Sequence, residues 1–186
     1  MNERALAETR AWVERAVIGL QLCPFARAPQ IKGQVRYVVT DASDTATLLE
    51  GLIDELQRLA NEPAERVETT LLIHPYVLTD FEDYNEFLSV ADMALVELDL
   101  EGVLQVASFH PRYQFTNTTP DDLGNATNRS PYPTLHLLRE ASIERALAAF
   151  PDPEVIFEAN VATLGRLGAD GWAALQQQCR DDAATG

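Results

Sequence analysis

Three short β-branched or apolar runs, VRYVVT (Val35–Thr40), ETTLLI (Glu68–Ile73) and VLQVASF (Val103–Phe109), decide the fold of this chain. Between the first two, Asp41 to Asp44 supplies capping oxygens for a helix that places Leu48, Leu49, Leu52, Ile53, Leu56 and Leu59 at helical spacing. Between the second and third, a helix starting near Asp80 carries Phe81, Tyr84, Leu88, Ala91, Leu95 and Leu98 in one stripe. Strand, helix, strand, helix, strand implies two crossover units, and hence neighbouring parallel strands covered by these helices. Asp41, His74 and His110 then leave the sheet at its carboxyl edge, where open α/β sheets bind ligands.

Outward from that centre, Glu3 to Leu22 reads as a helix that stops at Cys23-Pro24, because a proline disfavours α geometry in the residue before it. The segment from Arg112 to Pro133 has no period and is rich in Thr, Asn, Asp and Pro. A loop of that length in a compact domain usually serves function or is disordered, and Tyr113, Phe115 and Tyr132 favour order. Thr134 to Phe150 is expected as a helix with Leu135, Leu138, Ser142, Ala146 and Phe150 on one side, broken at Pro151-Asp152-Pro153. Asn160 and Asp170 are candidate caps for two last helices separated at Gly168. The fold class is therefore α/β, or α+β. One domain over 1–180 is expected, with a small sheet of three or four strands, at least partly parallel, about six helices and a frayed tail at 181–186.

The chain of 186 residues is 46% hydrophobic and carries a formal charge of −15. So acidic a balance argues against nucleic acid and anionic membrane surfaces as partners. No apolar run approaches the ~20 residues of a membrane span. The opening MNERALAETR has no signal-like apolar region, and Cys23 and Cys179 form no CxxC. A cytoplasmic location with two free thiols is the expectation. GxxxxGK[ST], GxGxxG and GxSxG are absent, so nothing points to a particular cofactor.

The chemistry-bearing residues concentrate late in the chain. Arg112, Arg129, Arg139 and Arg145 are four of the 14 basic residues, and all follow His110. If a helix begins at Thr134, its free N–H groups, with Asn128, Arg129 and Arg139 beside them and Arg112 folded over, would suit a carboxylate or phosphate. His110 and His136 are then the candidate acid–base pair. The competing reading pairs Arg112 and Arg129 with Asp121, Asp122 or Glu140 to pin the loop. His74, beside a proline, reads as a backbone cap. Cys23 in LCPFA is a candidate nucleophile if a histidine reaches it, and otherwise a core thiol. His136 and Glu140, four apart on a helix, with His110 as a third ligand, would make a metal set; the spacing is common by chance and no metal is expected.

Taken together, LCPFA, TTLLIHP, LTDFEDYNEFL, GVLQVASFHPRYQF and NRSPYPTLHLLREASIERAL are similar to a bacterial domain-of-unknown-function family of short cytosolic proteins, from the first helix to about Gly168. The resemblance implies a single-domain bacterial protein and carries over no catalytic residues. Three readings follow from the residues. The first is an enzyme or pocket for a small anionic metabolite. The second is a non-catalytic binding or assembly protein in which the same side chains are structural. The third is a metal-binding protein.

Overall fold

Residues 1–149 and 153–185 are described by a computed structural model. The expected end of one helix at Phe150, the break at Pro151 and Asp152, and Gly186 lie outside them. Among the described residues the strands are β1 (Val35–Val39), β2 (Thr69–Ile73), β3 (Leu104–Phe109) and β4 (Thr134–Arg139), in the order β1-β2-β4-β3. β1 and β2 are parallel neighbours, as the first crossover unit requires, while β4 runs antiparallel to both β2 and β3. The domain is α/β, with a mixed sheet.

The two crossover helices are α3 (Thr45–Asn61) and α4 (Phe81–Glu97), each capped as its sequence indicates. Asp44 accepts the Thr47 N–H at 2.8 Å, and Asp80 accepts that of Glu82 at 2.9 Å. Leu48, Leu52, Leu56 and Leu59 are fully buried against Leu72, Leu135 and Leu137 on one sheet face. Each such leucine contributes roughly 2 kcal/mol of hydrophobic stabilisation. The opposite face carries Tyr37, Leu71 and Phe109, and packs on α1 (Asn2–Trp12) and α6 (Pro153–Thr185) through Trp12, Leu164 and Trp172.

The first helix differs from its expected run to Leu22. After Trp12 it widens into a π-helical segment, Val13–Ile18, and a Cβ at Gly19 would overlap the Arg15 carbonyl oxygen. A larger residue at 19 could not follow that wide turn so closely. α6 is broken at Gly168, whose φ of 71° is left-handed, and its last turn is helical through Thr185, with Arg15 paired to Asp182. Arg27–Ile31 forms the short α2, and no helix among the described residues is long and apolar enough to cross a membrane.

The main correction concerns 134–150. Thr134–Arg139 is not the start of a helix but β4, and α5 begins only at Glu140 and runs to Ala149. A short run such as TLHLLR is ambiguous between strand and buried helix on periodicity alone. The open hydrogen-bonding edges of β2 and β3 settle it, because β4 fills the gap between them over five and six residue pairs respectively. β2 and β3 therefore point the same way without touching. Ile73 and Phe109 both lie opposite Thr134, which brings His74 and His110 to one edge of the sheet, as the crossover reading expects.

Candidate functional site

The segment after β3 turns back over the carboxyl edge and is held there by its own polar groups. The Asn128 carbonyl accepts the His110 N–H at 3.1 Å, and the Asn128 side-chain amide donates to Ser108 O at 3.1 Å. Arg112 donates to Thr79 O at 3.0 Å and pairs with Asp80 at 2.8 Å, tying the loop to the start of α4. Both partners are largely exposed, so Arg112→Ala should change the unfolding free energy by less than about 1 kcal/mol in a urea titration. A loss of several kcal/mol would contradict a solvent-screened pair.

Two buried imidazoles grip the β2–α4 connection. A carbonyl oxygen can only accept, so His74 donates from Nδ1 to Val77 O at 3.0 Å, which leaves Nε2 bare and without a partner among the described residues. His110 accepts the Arg112 N–H on Nδ1 at 3.0 Å and therefore donates from Nε2 to Leu78 O at 3.2 Å. Leu78, at φ 55°, sits in the left-handed region and is held there by that bond. Tyr84 lies between the two rings, its hydroxyl donating to Thr134 O and accepting from Phe109 N–H. Burial pushes His74 down to about 4 and also lowers His110, so both are neutral at pH 7. Neither ring of this pair has a free nitrogen exposed to a substrate.

The structure separates the other expected partners. His136 stands in the middle of β4, on the face covered by α1 and α6, rather than on a helix with Arg139 and Glu140. Thr69 Oγ1 donates to Leu137 O, so it accepts from His136 Nε2 at 2.7 Å. Burial drives this imidazole down to about 4. Arg139 reaches the other way and donates to Leu59 O, Glu62 O and Val67 O at 2.6–3.3 Å, capping the carboxyl end of α3. The expected helix N-terminus at Thr134, with Arg139 beside His136, therefore does not exist. The proposed ligand set of His110, His136 and Glu140 is likewise not assembled, and among the described residues no three His, Cys, Asp or Glu side chains are grouped to hold a metal. Cys23 packs among the core of α1 and α6, and burial raises its thiol, away from the thiolate a nucleophile needs.

Arg129 has a different setting. Its guanidinium donates to Tyr113 O at 3.1 Å and Pro120 O at 2.7 Å, and among the described residues it has no carboxylate within ion-pair distance. The expected direct pairing with Asp121 or Asp122 is absent, although both carboxylates lie near enough to favour its charge against the opposing effect of burial. Arg129 and Ser130 line a cavity of about 210 Å³ together with Glu8 and Trp12 of α1 and Cys179 and Arg180 of α6. Trp12 is 4% exposed and packs edge-on against Phe109 at 5.3 Å, and its buried indole N–H has no partner among the described residues. Glu8 is 5% exposed and accepts from Arg4 Nε at 2.7 Å and from the Tyr132 hydroxyl at 2.9 Å. Arg180 is exposed and donates to Gln177, one turn back on its own helix.

Of the candidate site residues read from the sequence, only Arg129 lines this cavity. Glu8, Trp12 and Arg180 escape a reading along the chain because they come from its two ends. The faint signal for them is spacing: Glu8 and Trp12 are four apart on one helical face, as are Gln176 and Arg180. No curated protein and no solved structure matches this chain. The family described as "Protein of unknown function (DUF1415)" matches residues 4–174, which take in Glu8, Trp12 and Arg129 of this cavity and end before Leu175, Gln176, Cys179 and Arg180, and the chain belongs to that family.

Proposed function

We propose that the protein binds a small anionic molecule in the cavity between α1, the 110–133 loop and α6, as a binding protein rather than an enzyme acting through His110 and His136. The observation that carries this reading is Arg129: a half-buried guanidinium that, among the described residues, has no direct carboxylate partner and stands on the wall of a cavity. Charge-assisted hydrogen bonds to the guanidinium would add roughly 1.5–3 kcal/mol each. The non-catalytic reading is supported by the histidines, which are neutral, engaged through ring nitrogens and absent from the cavity wall. Asn128, Arg112 and Arg139 act as braces for the loop and for α3.

Calorimetric titration with inorganic phosphate and with small carboxylates tests the proposal. Arg180→Gln should weaken the best of these anions by about five- to tenfold, which is ~1–1.4 kcal/mol, without moving the melting temperature, since Arg180 is exposed and its hydrogen bonds go to Gln177 of its own helix. Arg129→Gln should abolish binding and also destabilise the loop. Wild-type protein that binds none of these anions, or binds them equally after both substitutions, would end this reading.

A further inference from the structure

We propose that the occupant of this cavity is a small zwitterion, with an anionic head group for Arg129 and Arg180 and a protonated amine for Glu8; this rests on the anion-binding reading above. The geometry points to it because the same cavity is lined by donors of positive charge and by a buried carboxylate. Glu8 and Trp12 stand one helical turn apart on α1, both at least 95% buried, so an occupant touching one lies close to the other.

The two Glu8 oxygens each accept one hydrogen bond, from Arg4 and from Tyr132, and a carboxylate has about four acceptor positions in all. Acceptor capacity therefore remains on this wall. Arg4, its cationic partner, is mostly in solvent, where its charge is screened, while Glu8 itself is buried. A simple anion placed between Arg129 and Glu8 would be attracted by one and repelled by the other at low dielectric. An ammonium group on the same molecule converts that repulsion into an ion pair.

Size agrees with this class. A water's share of liquid volume is about 30 Å³, so a cavity of about 210 Å³ has room for the equivalent of roughly seven waters. That suits a small amino acid.

The test is calorimetric titration of the full chain at pH 7 with amino acids, each paired with its desamino acid: alanine with propionate, aspartate with succinate, glutamate with glutarate. In at least one pair the amino acid should bind about tenfold more tightly than its partner. Glu8→Gln keeps the side-chain shape and an acceptor for Tyr132 but removes the charge, and should reduce that preference to within about twofold. Desamino acids that bind as tightly as their amino acids, or a preference that survives Glu8→Gln, overturn the zwitterion proposal. Either result leaves the small-anion reading standing if binding still depends on Arg129 and Arg180. Failure of every compound to bind overturns both. Should Glu8→Gln not fold, the wild-type comparison within each pair decides by itself.

Discussion

Lowering the pH from 6.5 to 4 is expected to remove several kcal/mol of stability through His74 and His136. Both imidazoles are driven down to about 4 by burial, whereas in the unfolded chain they titrate near the ordinary 6.5. Between those values the unfolded state binds protons that the native state refuses, so stability is full above pH 6.5 and falls as the pH drops towards 4. At 1.36 kcal/mol per unit, each ring accounts for about 3 kcal/mol over this window. His110, lowered in the same direction, adds to the loss.

The window is separable from the carboxylates. Asp44 and Asp80 are held below their ordinary value by the N–H groups they cap, so they lose their contribution only below it. Relief of self-repulsion as the −15 charge is neutralised acts in the opposite sense, and a comparison of variants cancels it. His74→Asn, which can still donate to Val77 O, and His136→Gln should each flatten the slope of unfolding free energy against pH by about 1.4 kcal/mol per unit over most of this range. Chemical denaturation at a series of pH values measures that slope. Imidazole resonances titrating near 6.5 in the native protein would refute the expectation.

The second large effect is placed at Arg139. Its guanidinium is half-buried and donates to three carbonyls, of which Leu59 O belongs to the last turn of α3 and has no partner further along that helix. Arg139→Met keeps much of the stem but strands these oxygens, and should cost about 3–5 kcal/mol in a urea titration. Arg139→Lys should recover little of it, because a single ammonium cannot reproduce the planar fork that spans Leu59, Glu62 and Val67. A loss of under about 1 kcal/mol for Arg139→Met would mean that water replaces the guanidinium at the helix end. The contrast with the small effect expected at Arg112 is one of setting, since both arginines lie in a region whose sequence suggests anion binding.

These two arginines also mark how far the sequence alone reaches. Strands β1, β2 and β3, the caps at Asp44 and Asp80 and the apolar stripes of α3 and α4 depend on interactions within a few residues. Period, capping oxygens and proline positions therefore identify them without reference to the rest of the chain. The shared edge of His74 and His110 follows as well, because a crossover unit dictates strand direction. TLHLLR has no such local determinant. It becomes β4 because β2 and β3 leave two hydrogen-bonding edges facing each other, a fact of topology far from residues 134–139.

That one assignment moves every residue that depended on it: His136 to the α1 and α6 face, and Arg139 to the end of α3. The cavity lies still further from the reach of the sequence. Its walls come from Glu8, Arg129 and Arg180, brought together by the packing of the first helix on the last, and no local pattern encodes that meeting. What the sequence by itself determined is the set of elements and the edge at which the loop emerges, since short-range sterics and hydrogen bonding suffice for them. Only the tertiary structure decided which charged side chains are braces and which face a cavity, because that depends on the carbonyls and carboxylates that distant segments bring within about 3 Å.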